Sequence, residues 1–308
     1  MPSDFSSTRF FCAFIAICFL AGCEPATEPS SGNPAKTKQR YQISEDPSVS
    51  ANVRILDDVF TFPKDMPRRV WVYLPPGYSN EDSHYPVVYM HDGQNVFSRK
   101  TSYAGEWGVD ETLDALSDLG ESVPIVVAID HGGEARMQEL SPWSHPEFGD
   151  AMGDAYLDFV VHEVKPYIDN HYRTLPSANF TAVMGSSMGG LMSHYAIVKY
   201  PDVFSRAAVF SPSFWFSQKA FTFTESHPVP DTHKLYLNVG GEEDSKMRDG
   251  MSAMVNLHLA QQHPETGISS KVVGDQNHNE AFWHSEVEPA LRWLGLLSTT
   301  KKELPGAH

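Results

Sequence analysis

The segment of this chain best suited to chemistry is Gly185-Ser186-Ser187-Met188-Gly189-Gly190, which fits G-x-S-x-G with Ser187 at its centre. An apolar run, Phe180 to Met184, precedes it, and a helix-like stretch, Leu191 to Tyr200, follows it. A serine on so sharp a strand-to-helix turn needs small neighbours, and Gly185 and Gly189 supply them. The turn also sets the hydroxyl at a helix start, where free N–H groups favour developing negative charge. Such a serine is suited to attack a carbonyl carbon.

A hydroxyl attacks only when a base takes its proton, and the base needs an acid to orient it. On a strand–turn–helix frame of this kind the chain order is serine, acid, histidine. Leu235 to Val239 reads as a strand running into Gly240-Gly241-Glu242-Glu243-Asp244, which offers three carboxylates. The residues alone leave the choice among the three open. Lys271-Val272-Val273 then leads into a loop carrying His278, the expected base. His284, the other candidate, falls in the helical stretch that follows. An oxyanion needs two N–H donors. One is expected from Met188, the residue after the nucleophile, and the other from the loop His91-Asp92-Gly93-Gln94, which follows Val87 to Met90.

These side chains need a frame that brings distant loops to one place. Short apolar runs at Pro86–Met90 and Pro124–Ile129 have the form of strands buried on both faces. Asn52–Thr61 and Arg68–Leu74 read as an opening strand pair, the second stopped by Pro75-Pro76-Gly77. Phe180–Met184, Ala207–Phe210, Leu235–Val239 and Ser270–Val273 supply further strands. Asp154–Tyr172 is expected as a helix with Leu157, Val160, Val161, Val164 and Ile168 on one face, and Glu286–Leu297 as a closing amphipathic helix. The alternation predicts an α/β fold: a mostly parallel sheet with helices on both faces and its site at the carboxyl ends of the strands.

The chain has 308 residues, enough for one large α/β domain. Its formal charge of −16 argues against nucleic-acid binding, which requires clustered Lys and Arg. No cofactor or metal is expected. The 14 histidines are scattered, and His162-Glu163 begins a zinc-protease pattern that Pro166 breaks. The chain also has no Gly-rich phosphate loop. Cys12, Cys18 and Cys23 are the only cysteines, which excludes a thiol nucleophile from the domain.

Those cysteines lie in a distinct leader. Arg9 precedes an uncharged apolar run from Phe10 to Gly22, too short to span a bilayer but suited to a secretion signal. It ends in Leu20-Ala21-Gly22-Cys23, which resembles the bacterial lipobox and implies lipid on the Cys23 sulfur. Residues 1–22 are therefore expected as a lipoprotein signal, 23–50 as a polar tether, 51–300 as the domain and 301–308 as a tail. The expected location is the cell envelope, with the chain held to a membrane through Cys23. Glu24, where inner-membrane retention signals generally carry Asp, favours the outer membrane.

Six segments carry a family resemblance. They are Leu-Pro-Pro-Gly-Tyr at 74–78, Tyr-Met-His-Asp-Gly-Gln-Asn at 89–95, Tyr-Arg-Thr at 172–174, the Ser187 motif, Phe-Ser-Pro-Ser-Phe-Trp at 210–215 and His-Asn-Glu-Ala-Phe-Trp at 278–283. Together they resemble the esterase family of α/β-hydrolases that contains esterase D, enterobactin-type siderophore esterases, feruloyl and acetyl xylan esterases, and mycolyltransferases. The resemblance runs from about Arg68 to Leu297. It implies an α/β-hydrolase fold, Ser187 as nucleophile, His278 as base and, as the acid, Glu243, three residues after Gly240, with Asp244, three after Gly241, as the alternative. It also implies Gln94 as the second oxyanion donor, and it makes Arg136, Glu139 and Trp143 candidates for the pocket wall. The implied activity is hydrolysis of a small-molecule or glycan ester through an acyl-enzyme. An acyltransferase on the same residues, or a non-catalytic binding lipoprotein, is the alternative.

Overall fold

Eight short runs rich in β-branched and aromatic residues become the strands that hold the site. The computed structural model describes residues 41–298. Strands β1 (Val53–Thr61) and β2 (Pro67–Tyr73) pair antiparallel, with Val53 opposite Tyr73 and Phe60 opposite Arg68. They are followed by β3 (Val87–Met90), β4 (Ile125–Ile129), β5 (Thr181–Ser186), β6 (Arg206–Phe210), β7 (Lys234–Gly240) and β8 (Ile268–Val273). The sheet order is β1-β2-β4-β3-β5-β6-β7-β8. The β2–β4 pair is antiparallel, and every pair from β4 to β8 is parallel. Met90, Ser186, Phe210, Gly240 and Val273 therefore end their strands along one edge, where ligands bind in sheets of this kind.

The helices are α1 (Val109–Asp118), α2 (Arg136–Glu139), α3 (Gly153–Phe159), α4 (Lys165–His171), α5 (Met188–Lys199), α6 (Lys219–Ser226), α7 (Ser245–Ala260) and α8 (Glu280–Leu294). They divide the core in two. Because side chains alternate along a strand, Val87 and Tyr89 join the apolar cluster that includes α3, α5 and α7 residues, while Val88 and Met90 join the one under α1 and α8. All four residues of β3 are buried, as a strand covered on both faces requires.

Two expected helices differ in detail. The helix read over 154–172 runs without a gap from Gly153 to His171, with a wide π turn at Val160–Val164 between α3 and α4. Pro166 explains the widening: it has no N–H to donate, and its ring crowds the carbonyl four residues earlier. The apolar face is as read, with Leu157, Val160, Val164 and Ile168 fully buried. The closing helix begins at Glu280, not Glu286, because the Asn279 side chain caps it by accepting the Phe282 N–H at 3.0 Å. Gly295, at φ 72°, ends it.

Cys23, the expected signal, most of the expected tether and the 301–308 tail lie outside the described residues. The last residues assigned to the tether are bound to the domain. Asp46 accepts from the Ser98 hydroxyl at 2.5 Å, and the Ser50 N–H donates to Asp110 at 2.7 Å.

Behind the site, His194 of α5 and His258 of α7 meet Nε2 to Nε2 at 2.9 Å in the core. Burial pushes His258 down to about 4 and His194 well below its ordinary value. A depressed base takes up its proton in the unfolded chain first, so stability falls as pH drops from 6.5 toward about 4. His258→Gln is expected to flatten that fall by up to about 1.4 kcal/mol per pH unit, one proton's worth. Urea unfolding of both proteins from pH 7 to pH 4 checks it, and parallel profiles would contradict it.

Candidate active site

At the end of β5 the chain turns so sharply that Ser187 takes φ 57° and ψ −120°, a region that L-residues rarely occupy and that costs about 1–3 kcal/mol. Backbone crowding explains the glycines around it. A Cβ on Gly185 would lie 2.7 Å from the Gly189 carbonyl, and one on Gly190 would lie 2.7 Å from the Phe210 oxygen. The turn is clamped from β6: the Ser187 N–H donates to Phe210 O at 2.9 Å, and the Ser187 carbonyl accepts the Ser213 N–H at 3.1 Å. Met188 opens α5, so its N–H has no helical carbonyl behind it.

The three acids after β7 have three different surroundings. Glu243 is buried, whereas Glu242 and Asp244 are exposed. Asp244 caps α7 by accepting the Lys246 N–H at 2.8 Å. Glu243 Oε2 meets His278 Nδ1 at 2.8 Å, and its Oε1 accepts from the Ser211 hydroxyl at 2.6 Å and the Gly240 N–H at 2.8 Å. Burial pushes the Glu243 carboxyl up, but the bonds from His278, Ser211 and Gly240 outweigh it and hold the group below the ordinary carboxylate range. His284 is turned away, its Nδ1 against the Trp107 carbonyl.

Ser187 and His278 face one open cavity of about 690 Å³. Among the described residues no hydrogen bond joins them. The serine hydroxyl sits instead 3.4 Å from the Ser213 hydroxyl. Such bonds are often long in a ligand-free site and tighten around substrate.

The turn after β3 forms another wall. Asp92 takes φ 57°, and a Cβ on Gly93 would meet the backbone of Asp130 and Ile129 at 2.8 Å. Only glycine lets the turn lie so close to β4. Arg136 grips Asp92 through both carboxylate oxygens, at 2.6 and 2.8 Å. Against the upward push of burial, that guanidinium holds the Asp92 carboxyl below its ordinary range. The Gln94 side chain is fixed to His131, whose N–H it accepts at 3.1 Å. Gln94 lines the cavity, and its place in the first turn of a short 3₁₀ helix leaves its N–H without a helical acceptor.

Of the expected wall residues, Arg136 lines the cavity but Glu139 and Trp143 do not. Glu139 is fully buried and pairs with Arg68 at 2.7 Å, neutralising a cation that would otherwise be stranded. Trp143 packs edge-on against Tyr195 and Phe223. The sequence reading assigned no role to Tyr103, Glu280 or Ser211. Tyr103 and Glu280 line the cavity with Trp283, and Ser211 holds Glu243 from behind. Ser211 and Glu280 lie inside the segments 210–215 and 278–283, the signal by which they were accessible. Among the described residues no group of three His, Cys, Asp or Glu side chains stands close enough to hold a metal ion.

The sheet order and the placement of the site at its carboxyl edge define an α/β-hydrolase-type fold. The BES protein from Bacillus cereus shares it with a TM-score of 0.66 at 18% identity, over 82% of this chain and 98% of that one. An IroE-like serine hydrolase from Shewanella oneidensis shares it with a TM-score of 0.62 at 22% identity, over 82% and 79% of the two chains. Within that fold, the chain belongs to the family described as "Putative esterase", whose model matches residues 64–302. It is 30% identical over 241 residues to the uncharacterized protein YbbA of Bacillus subtilis, covering 74% of this chain and 92% of that protein. It is 32% identical over 247 residues to the iron(III) enterobactin esterase of Dickeya dadantii, covering 75% of this chain and 52% of that one. The chain thus spans about half the length of that relative. Hydrolysis of esters is the activity that membership carries.

Proposed function

We propose that the protein is a serine carboxylic-ester hydrolase working through an acyl-enzyme. Ser187 Oγ attacks the ester carbonyl while His278 Nε2 takes its proton. Glu243 holds the imidazole by Nδ1 and stabilises the imidazolium. The N–H groups of Met188 and Gln94 receive the oxyanion. His278 then returns the proton to the departing alkoxide, which leaves as an alcohol. Water, deprotonated by His278 in turn, attacks the acyl carbon; the carboxylic acid departs and the proton goes back to Ser187.

The observation that carries this reading is the 2.8 Å contact between Glu243 and His278 at a cavity that also exposes Ser187. A buried carboxylate bonded to one ring nitrogen leaves the other free to act as a base. The wall is mixed, setting Arg136, Gln94, Glu280 and His131 beside the rings of Tyr103 and Trp283. Those polar groups suit the oxygens of a compact ester, and the rings offer faces on which an aromatic or short acyl group can pack. Relatives act on such molecules: one is named an enterobactin esterase and another, from Aspergillus fumigatus, a siderophore triacetylfusarinine C esterase. We place a small-molecule ester of this kind, or an acylated glycan, in the cavity. We also retain the envelope location and the lipid on Cys23 as part of the proposal.

The test is a panel of nitrophenyl acetate and butyrate, feruloyl esters, acetylated sugars and siderophore lactones offered to the purified protein. Turnover of at least one is expected, with short or polar acyl groups ahead of long ones. Inertness toward all of them would remove the reading.

A further inference from the structure

Trp283, a wall residue of the cavity, and Ser211, behind the acid, belong to one chain of hydrogen bonds that ends at His278. The Trp283 Nε1–H donates to Ser211 Oγ at 2.9 Å. Ser211 Oγ is 2.6 Å from Glu243 Oε1, and Glu243 Oε2 is 2.8 Å from His278 Nδ1. Ser211 is fully buried, with its φ at 43° and its N–H tied to the Asn238 carbonyl at 2.8 Å. Trp283 is held in turn: its ring and that of His278 form a T-shaped pair at 5.0 Å, and it packs against Trp107 at 5.8 Å.

The direction of this chain is forced by chemistry. An indole nitrogen only donates, so Ser211 Oγ must accept from it. The serine's own proton is then free to point only at Glu243. With the Gly240 N–H, that fills both lone pairs of Oε1 and leaves Oε2 for the imidazole. A carboxylate oxygen only accepts, so the His278 proton must sit on Nδ1 and the lone pair on Nε2 must face the cavity. We propose that Trp283 and Ser211 are positioning residues that hold Glu243 ionised with Oε2 toward His278, and through it keep the imidazole in place with its proton on Nδ1, with the indole N–H as the fixed end of the chain. The inference rests on His278 as the base, as in the function proposed above. It adds that the base is set from the substrate wall.

The experiment compares Trp283→Phe, which keeps a ring in the wall but removes the donor, with Ser211→Ala and the double variant. Two readouts are needed. The first is the Nδ1 proton resonance of His278 in the substrate-free protein. The second is kcat and KM on nitrophenyl acetate. Each single variant is expected to broaden or shift the resonance and lower kcat about tenfold, with KM changed less than about threefold. The double variant should be no slower than Ser211→Ala, because links in series fail together. Multiplying losses would indicate two independent packing defects and overturn the proposal. So would an unchanged resonance in Trp283→Phe. Should that variant not fold, the resonance in Ser211→Ala alone decides, since removing one buried oxygen leaves the ring in place. The resonance is read without substrate, so a wild type that hydrolyses no ester yet shows these shifts loses its proposed function and keeps the chain.

Discussion

Ser187→Ala is expected to lower ester hydrolysis at least about a thousandfold, a barrier increase of about 4 kcal/mol, while leaving the fold intact. The expected size follows from what is lost. Without the oxygen no acyl-enzyme forms, and only binding and the two N–H donors remain to assist attack by water. The fold should hold because, among the described residues, the hydroxyl makes a single hydrogen bond, the long one to Ser213, and the turn itself is clamped through the backbone to Phe210 and Ser213. Alanine keeps the same Cβ in the same crowded space. Turnover above about a tenth of wild type, on correctly folded protein, would mean that another group attacks the ester.

Glu243→Gln is the second large effect, with an expected loss of at least about a hundredfold, or about 2.7 kcal/mol. The reason is directional as well as electrostatic. The Gly240 N–H and the Ser211 hydroxyl both donate to Oε1, so the amide oxygen must take that place and its NH2 must face His278. Nδ1 then has to accept, which moves the proton to Nε2 and leaves no lone pair for Ser187. The amide preserves size, so packing is not the cause. The same change at Glu242 or Asp244 should stay within a few-fold. Glu242 is exposed, and an asparagine at 244 still caps α7. Steady-state rates for the three variants check this. A large loss at 244 with 243 unaffected would transfer the orienting role to Asp244.

The contrast among these acids shows where sequence reasoning reaches and where it stops. The strands were legible because buried parallel strands write themselves as short apolar runs, as at Ile125–Ile129. The turn at Ser187 was legible because its strained backbone demands glycines at fixed positions. Glu243 was selected only through family resemblance, since three adjacent carboxylates look alike until burial separates them. Glu139 and Trp143 were misplaced for a related reason: in a short segment beside the site, only the fold decides whether a side chain faces the cavity or a buried partner such as Arg68. Ser211 carries no signal of its own type. Its role comes from lying between Trp283 and Glu243, 72 and 32 residues away along the chain.

The proposed chemistry requires the Ser187 oxygen to become covalently attached to the acyl group. Treating the protein with a fluorophosphonate, which phosphonylates an activated serine and stays attached, tests it most directly. Esterase activity should disappear in step with one adduct per chain, and peptide mass mapping should place that adduct on Ser187. An adduct on another residue that abolishes activity, or full activity in a chain already labelled at Ser187, would contradict the account.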